Sequence, residues 1–267
     1  MTGRNRSCRK SSTRSWRLVA FGTAIAAVLG GAVAAPPAMA SGLVVESVIL
    51  ARGADDPQNP SGRTTKFAGA DTVFAVVRLD GLPKTGVVTG VFSFRGEEFA
   101  RTSSDMADRR NKVQAGGDTF VTFNVAPAPG TKYLIGTSYL VKVLLDGKVD
   151  GSIGFSVVPP KGTFATKALR SQLVADDGTV RKIFSPQETV KIQVAADLGM
   201  DSWVEATWKV SGRVDPHGTQ SATVTKPARN GVLSFAHRPT GGWPVGKHSV
   251  SLVIDDRPAG EVSFTVR

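Results

Sequence analysis

Cysteine is almost missing from these 267 residues: the one present, Cys8, stands within the first forty. Beyond that point the chain has no thiol, so disulfides, thiolate nucleophiles and cysteine-based metal sites are excluded there. Histidine is nearly as scarce, at three residues, and tyrosine scarcer, at two. His217, His237 and His248 lack the close spacing that two metal ligands on one element would show. No G-x-S-x-G elbow marks a serine nucleophile, and no D-x-D-x-D-G loop marks a calcium site. After residue 40 no long segment has an apolar period of 3.6, which argues against helices.

Acid is missing from the first forty residues, where Arg4, Arg6, Arg9, Lys10, Arg14 and Arg17 stand unopposed. An apolar run, Leu18 to Ala35, follows, then Pro36, Pro37 and Ala38-Met39-Ala40, a small-residue cleavage pattern. Residues 1–40 are expected to be a signal peptide cut before Ser41, with membrane contact only through this segment if it stays uncut. Six of the 33 basic residues go with it, leaving 27 against 22 acids. So small an excess does not imply nucleic acid, which needs basic residues gathered on one surface.

What is present is a repeat. Phe67, Asp71, Thr72, Val73, Ala75 and Val77 are answered 117 positions later by Phe184, Glu188, Thr189, Val190, Ile192 and Val194. Leu140 to Val157, with Asp146 and Phe155, is answered 109 positions later by Ser249 to Val266, with Asp255 and Phe264. An echo of that length is about one domain long, so two tandem copies are expected, residues 41–159 and 160–267. Pro159-Pro160 cannot continue a ladder and marks the border.

Alternation within each copy predicts antiparallel strands. Tyr139, Val141, Val143 and Leu145, then Ile153, Phe155 and Val157, share a core face; their counterparts are His248, Val250, Leu252 and Ile254, then Val262, Phe264 and Val266. Ser249, Ser251, Ser263 and Thr265 are expected on the water side. Earlier strands are predicted near 43–50, 72–79, 89–95, 97–102 and 118–125, and near 164–174, 188–196, 204–210, 220–225 and 231–237. Seven short strands per copy describe an all-β fold of two antiparallel sandwiches.

Each copy resembles the immunoglobulin-like domains common in exported bacterial proteins. The likeness is carried by the Phe-x-x-x-acid-Thr-Val opening of the second strand and by an aromatic in the third strand (Phe92, Phe94; Trp208). The closing hairpin with Phe155 or Phe264, and the Gly242-Trp243-Pro244 lead-in to its second-copy form, add to it. The antibody-type disulfide is absent. The resemblance implies a fold and no activity.

Among candidate contact residues, Trp203 lies in a loop without a close counterpart in the first copy, where it is expected either as an exposed anchor or at the core edge. Arg109, Arg110 and Lys112, with Arg101 nearby, form the one dense basic cluster after residue 40, interrupted by Asp105 and Asp108. It is expected to be a solvated loop, or else a docking place for an anionic polysaccharide, a lipid headgroup or an acidic protein face. Trp208 and Phe92 are expected in the cores, Trp243 at a sandwich end and His248 in a structural role. Asp55-Asp56, Asp176-Asp177 and Asp255-Asp256 read as turn formers. The function expected is a non-enzymatic exported protein that binds an envelope protein or polysaccharide through loops or a strand edge, without cofactor or nucleic acid. The alternatives are an exported hydrolase or carbohydrate-binding accessory with a site between the domains, and a pilus-type periplasmic chaperone with a basic pair in that cleft.

Overall fold

The computed structural model describes residues 44–267; the signal segment 1–40 expected above, with Cys8, lies outside the described residues. The first nine strands are β1 (Val45–Ala51), β2 (Lys66–Ala68), β3 (Val73–Leu79), β4 (Val87–Phe94), β5 (Glu97–Asp105), β6 (Val113–Ala115), β7 (Asp118–Val125), β8 (Gly136–Leu145) and β9 (Lys148–Val158). They form two sheets, ordered β1-β3-β7-β6 and β2-β9-β8-β4-β5. The next eight are β10 (Lys167–Val174), β11 (Ile183–Phe184), β12 (Val190–Leu198), β13 (Trp203–Val210), β14 (Arg213–Thr223), β15 (Ala228–His237), β16 (Gly246–Ile254) and β17 (Arg257–Val266). Their sheets run β10-β12-β15 and β11-β17-β16-β13-β14. Each pair of sheets encloses its own core. One holds Leu50, Val73 and Val121 against Phe92, Val141 and Phe155; the other holds Leu173, Ile192 and Phe235 against Trp208, Val250 and Phe264.

The alternating positions behave as period-2 strands require. Tyr139, Val141, Val143 and Leu145 are buried, as are His248, Val250, Leu252 and Ile254. Of the residues expected to face water, Ser263 is exposed and Thr265 is half-buried, as are Ser249 and Ser251 on β16. Flanking strands β13 and β17 crowd them, and Ser251 Oγ donates to the Thr207 carbonyl at 3.3 Å.

Three strands escape alternation altogether because they are two or three residues long: β2, β6 and β11. Two of them repeat. β2 pairs parallel with the last strand of its copy, Phe67 opposite Val157, and β11 does the same, Phe184 opposite Val266. The duplicated phenylalanines meet in the same way: Phe67 and Phe155 edge to face at 5.6 Å and 82°, Phe184 and Phe264 at 5.7 Å and 83°. The acid of the opening motif caps one matching backbone position in each copy, Asp71 accepting from Ala68 N at 2.8 Å and Glu188 from Ser185 N at 2.6 Å. An arginine joins each acid and lies over the neighbouring ring, Arg52 at 5.9 Å from Phe67 and Arg181 at 5.3 Å from Phe184. These arginines are not matching positions in the sequence repeat, so the same contact is supplied from two different places in the chain.

The lead-in to the penultimate strand is also shared in geometry while differing in chemistry. Tyr139 donates its hydroxyl to the Leu134 carbonyl at 2.7 Å. Its counterpart His248 accepts at Nδ1 from Ser211 N at 3.2 Å, which places the ring proton on Nε2, where it is donated to the Pro244 carbonyl at 2.7 Å. Both side chains tie a strand to the loop before it. His248 is therefore a structural residue.

Equivalent aromatic pairs in equivalent cores should cost alike. Phe155→Ala and Phe264→Ala are each expected to destabilise by about 3–5 kcal/mol in urea unfolding of the chain from residue 41 onward. A loss confined to one of the two would contradict the equivalence.

Candidate functional site

Trp203 opens β13, and the residue that matches it in the first copy is Val87, at the start of β4. In both copies a turn aspartate pins that position: Asp146 accepts from Val87 N at 2.8 Å and Asp255 from Trp203 N at 3.0 Å. The burial differs. Val87 is 40 % exposed, whereas Trp203 is 3 % exposed. Trp203 is thus not an exposed anchor, because the second sandwich presses it against the first. Its indole N–H donates to the Ile135 carbonyl at 2.6 Å, Phe94 meets it edge to face at 6.4 Å, and the Arg95 guanidinium lies 5.4 Å from its ring.

Charges complete this contact. Asp256, nearly enclosed, accepts from Ser138 N at 2.8 Å and Thr137 N at 3.2 Å, with Arg95 at 3.5 Å. Lys132 reaches Asp201 at 2.6 Å and Arg95 reaches Glu205 at 3.3 Å. The segment that delivers Trp203 is held from behind at Gly199, where a Cβ would sit 2.1 Å from the Phe164 carbonyl oxygen. Burial pushes the Asp255 carboxyl above the ordinary carboxylate range, against the pull of bonds from Ser202 Oγ and Trp203 N.

A groove of about 280 Å³ runs between the sandwiches, lined in part by Lys66, Thr137, Ser156, Pro159, Asp255 and Arg257. Asp255 is the one carboxylate in its lining, and no histidine reaches it. His237 lies elsewhere, 3.4 Å from Asp215 and enclosed by Trp208 and Trp243, as a strap between β15 and β14. Among the described residues no group of three or more His, Cys, Asp or Glu is placed to hold a metal ion.

The basic cluster is not a concentrated positive surface. Arg110 is forked onto Asp108 at 2.9 Å, and Asp108 caps the 3-10 turn Arg109–Asn111. Lys112 turns inward and donates to the carbonyls of Pro83, at 2.8 Å, and Met106. Arg101 points to Glu98, bonded twice at 2.7 and 2.8 Å, and that pairing holds the Glu98 carboxyl below the ordinary range. The Arg101 guanidinium is committed to β5. The acids that satisfy Arg110 and Arg101 lie two and three residues away in sequence.

An aromatic-walled groove of about 520 Å³ lies on the first sandwich, and sequence reading did not single it out. Its wall is a ring cluster: Phe94 stacks on Tyr139 at 4.3 Å, and Phe99 and Tyr133 close around Tyr139 at 6.1 and 6.2 Å. Phe99 reaches this place through a β-bulge. Phe92 pairs with Ala100 and Ser93 with Glu98, so Phe99 is the extra residue, and a bulge on an edge strand re-aims its side chain. It is 42 % exposed. Glu97 and Glu98 border the groove, and Val125, Pro127 and Leu134 supply apolar lining. Both tyrosines of the chain are here. Tyr133 has a hydroxyl buried without a hydrogen-bond partner, and burial pushes its pKa up to about 12. The second copy places Gly242 and His248 where these tyrosines stand, so the groove belongs to the first copy alone.

No protein-family model matches the chain, and no curated protein sequence does either. Among solved structures it is similar to dimeric latent PorU from Porphyromonas gingivalis (10 % identity, 84 % of this chain and 20 % of that one, TM-score 0.29). It is similar also to a tetra-tandem repeat in the extending region of a large adhesion protein (16 %, 84 % and 48 %, TM-score 0.27). A DUF4785 family protein from Legionella pneumophila gives 11 % identity over 76 % of this chain and 54 % of that one, with TM-score 0.27. The chain thus spans from a fifth to about half of those chains. Likeness at this level carries neither fold detail nor function to this protein.

A carboxyl whose pKa is raised by folding gives stability that falls as pH rises from the unfolded value through the folded one. Asp255→Asn keeps an acceptor for Trp203 N and can donate to Ser202 Oγ. The variant is expected to gain stability relative to wild type as pH rises from about 4 toward 7 in paired urea titrations. A difference that stays flat with pH would contradict the burial of that charge.

Proposed function

We propose that this chain is an exported, non-enzymatic binding protein that contacts an envelope protein or polymer through the aromatic groove of its first sandwich. One observation carries the reading: a bulge presents Phe99 to solvent over a ring cluster, whereas the rings of the second copy's cluster, Trp208, Trp243, His248 and Phe264, are all buried. Exposed aromatics over a packed base are the usual anchors of contact surfaces. Export rests on the basic, apolar and small-residue pattern of residues 1–40. An immunoglobulin-like assignment is supported by the strand orders β1-β3-β7-β6 and β2-β9-β8-β4-β5, which place the first, second and fifth long strands in one sheet and the third, fourth, sixth and seventh in the other. The internal pairing of Arg101 and Arg110 speaks against nucleic acid as partner.

A two-domain chaperone is the second reading, favoured by Lys66 and Arg257 in the lining of the interdomain groove. The hydrolase reading has no comparable support, since that groove brings in one carboxylate already bonded to Ser202 and Trp203.

The test is retention of envelope material by immobilised protein lacking residues 1–40. Phe99→Ala is expected to lower retention about tenfold while Arg109→Ala leaves it unchanged. Equal retention by Phe99→Ala, or loss with Arg109→Ala alone, would move the contact away from the groove.

A further inference from the structure

Resting on the groove reading above, we propose that the groove receives a cationic side chain, an arginine or lysine carried by a peptide partner. The rings decide against a stacking platform for sugars. Phe99 meets Tyr133 at 50° and Tyr139 at 83°, and the tyrosines meet each other at 67°, so the wall is angled and offers no run of coplanar faces. Rings set at such angles around one groove suit a compact cation, which a ring quadrupole attracts.

The charge balance points the same way. Of the charged residues that border the groove, Glu98 is paired with Arg101 and Lys132 with Asp201. Glu97 is exposed and makes no ion pair among the described residues, so the groove carries one uncompensated negative charge. Val125, Pro127 and Leu134 supply apolar surface for the methylene stem that both basic side chains bring with them. The Tyr133 hydroxyl stays protonated and neutral at physiological pH, so it brings no charge of its own to the groove.

The experiment is an amide NMR titration of the protein lacking residues 1–40. The probes are acetyl-Gly-Gly-Arg-Gly-Gly-amide, the same peptide with citrulline for arginine, and cellohexaose as the sugar arm, each at millimolar concentration. The arginine peptide is expected to shift the amides of Phe99 and Tyr133 saturably, and the citrulline peptide to bind about tenfold more weakly, because citrulline keeps the shape and loses the charge. Glu97→Gln, a substitution at an exposed site, is expected to weaken the arginine peptide about tenfold and to blunt its salt dependence. Absence of an arginine response, equal binding of citrulline, or indifference to Glu97→Gln overturns the cation assignment. If cellohexaose shifts Phe99 and Tyr133 while the arginine peptide does not, the groove remains a site and the ligand class is wrong. If Phe99→Ala also leaves retention of envelope material intact, the groove reading itself fails.

Discussion

The contact of Trp203 with the end of the first sandwich is the constraint on which the arrangement of this molecule depends. A buried indole whose N–H donates to the Ile135 carbonyl removes one large apolar surface and satisfies one backbone acceptor at once. Asp256 accepts two further backbone N–H groups of the first sandwich, and Arg95 joins Asp256, Glu205 and the indole face. These groups converge on Ile135 and the first residues of β8, Gly136 to Ser138, directly ahead of Tyr139. Phe94 links the contact to the groove, because it touches Trp203 on one side and stacks on Tyr139 on the other. The second sandwich therefore supports a wall of the groove without lining the groove itself.

Duplication explains why such a contact arises at one end only. Asp146 and Asp255 hold equivalent turns, both at positive φ (47° and 49°), and fix equivalent strand starts. What differs is the side chain presented there, valine in one copy and tryptophan in the other. The shared framework of Phe pairs and acid-capped strands supplies two stable scaffolds. The positions that diverge, Trp203 on one copy and Phe99 with Tyr133 on the other, lie at the margins of the cores, and they carry the individual properties of each copy.

Much of the fold was legible because its determinants are local or periodic. Alternation located the long strands, and the fixed offsets brought Phe67 with Phe155 and Phe184 with Phe264 into matching pairs. β2, β6 and β11 were illegible, since a strand of two or three residues exists only through its partner. The partner of Trp203 was illegible for a similar reason: Ile135 lies 68 positions away, and nothing beside Trp203 announces it. The basic cluster carried its own answer, for Asp108 and Glu98 stand within three residues of the arginines they satisfy. The groove was hidden by the bulge, which breaks the alternation of Glu97-Glu98-Phe99-Ala100, although the confinement of both tyrosines to one copy was a visible signal.

With two tyrosines in the chain, tyrosine labelled at the ring Cζ alone gives two NMR signals, one from Tyr133 and one from Tyr139. The most direct test of the link between the interdomain contact and the groove compares these signals in wild type and Trp203→Ala, in the protein lacking residues 1–40. Loss of the indole that backs Phe94 is predicted to move the Tyr139 ring signal while the β-sheet circular dichroism is kept. A Tyr139 signal that stays in place would show that the groove wall is independent of the second sandwich.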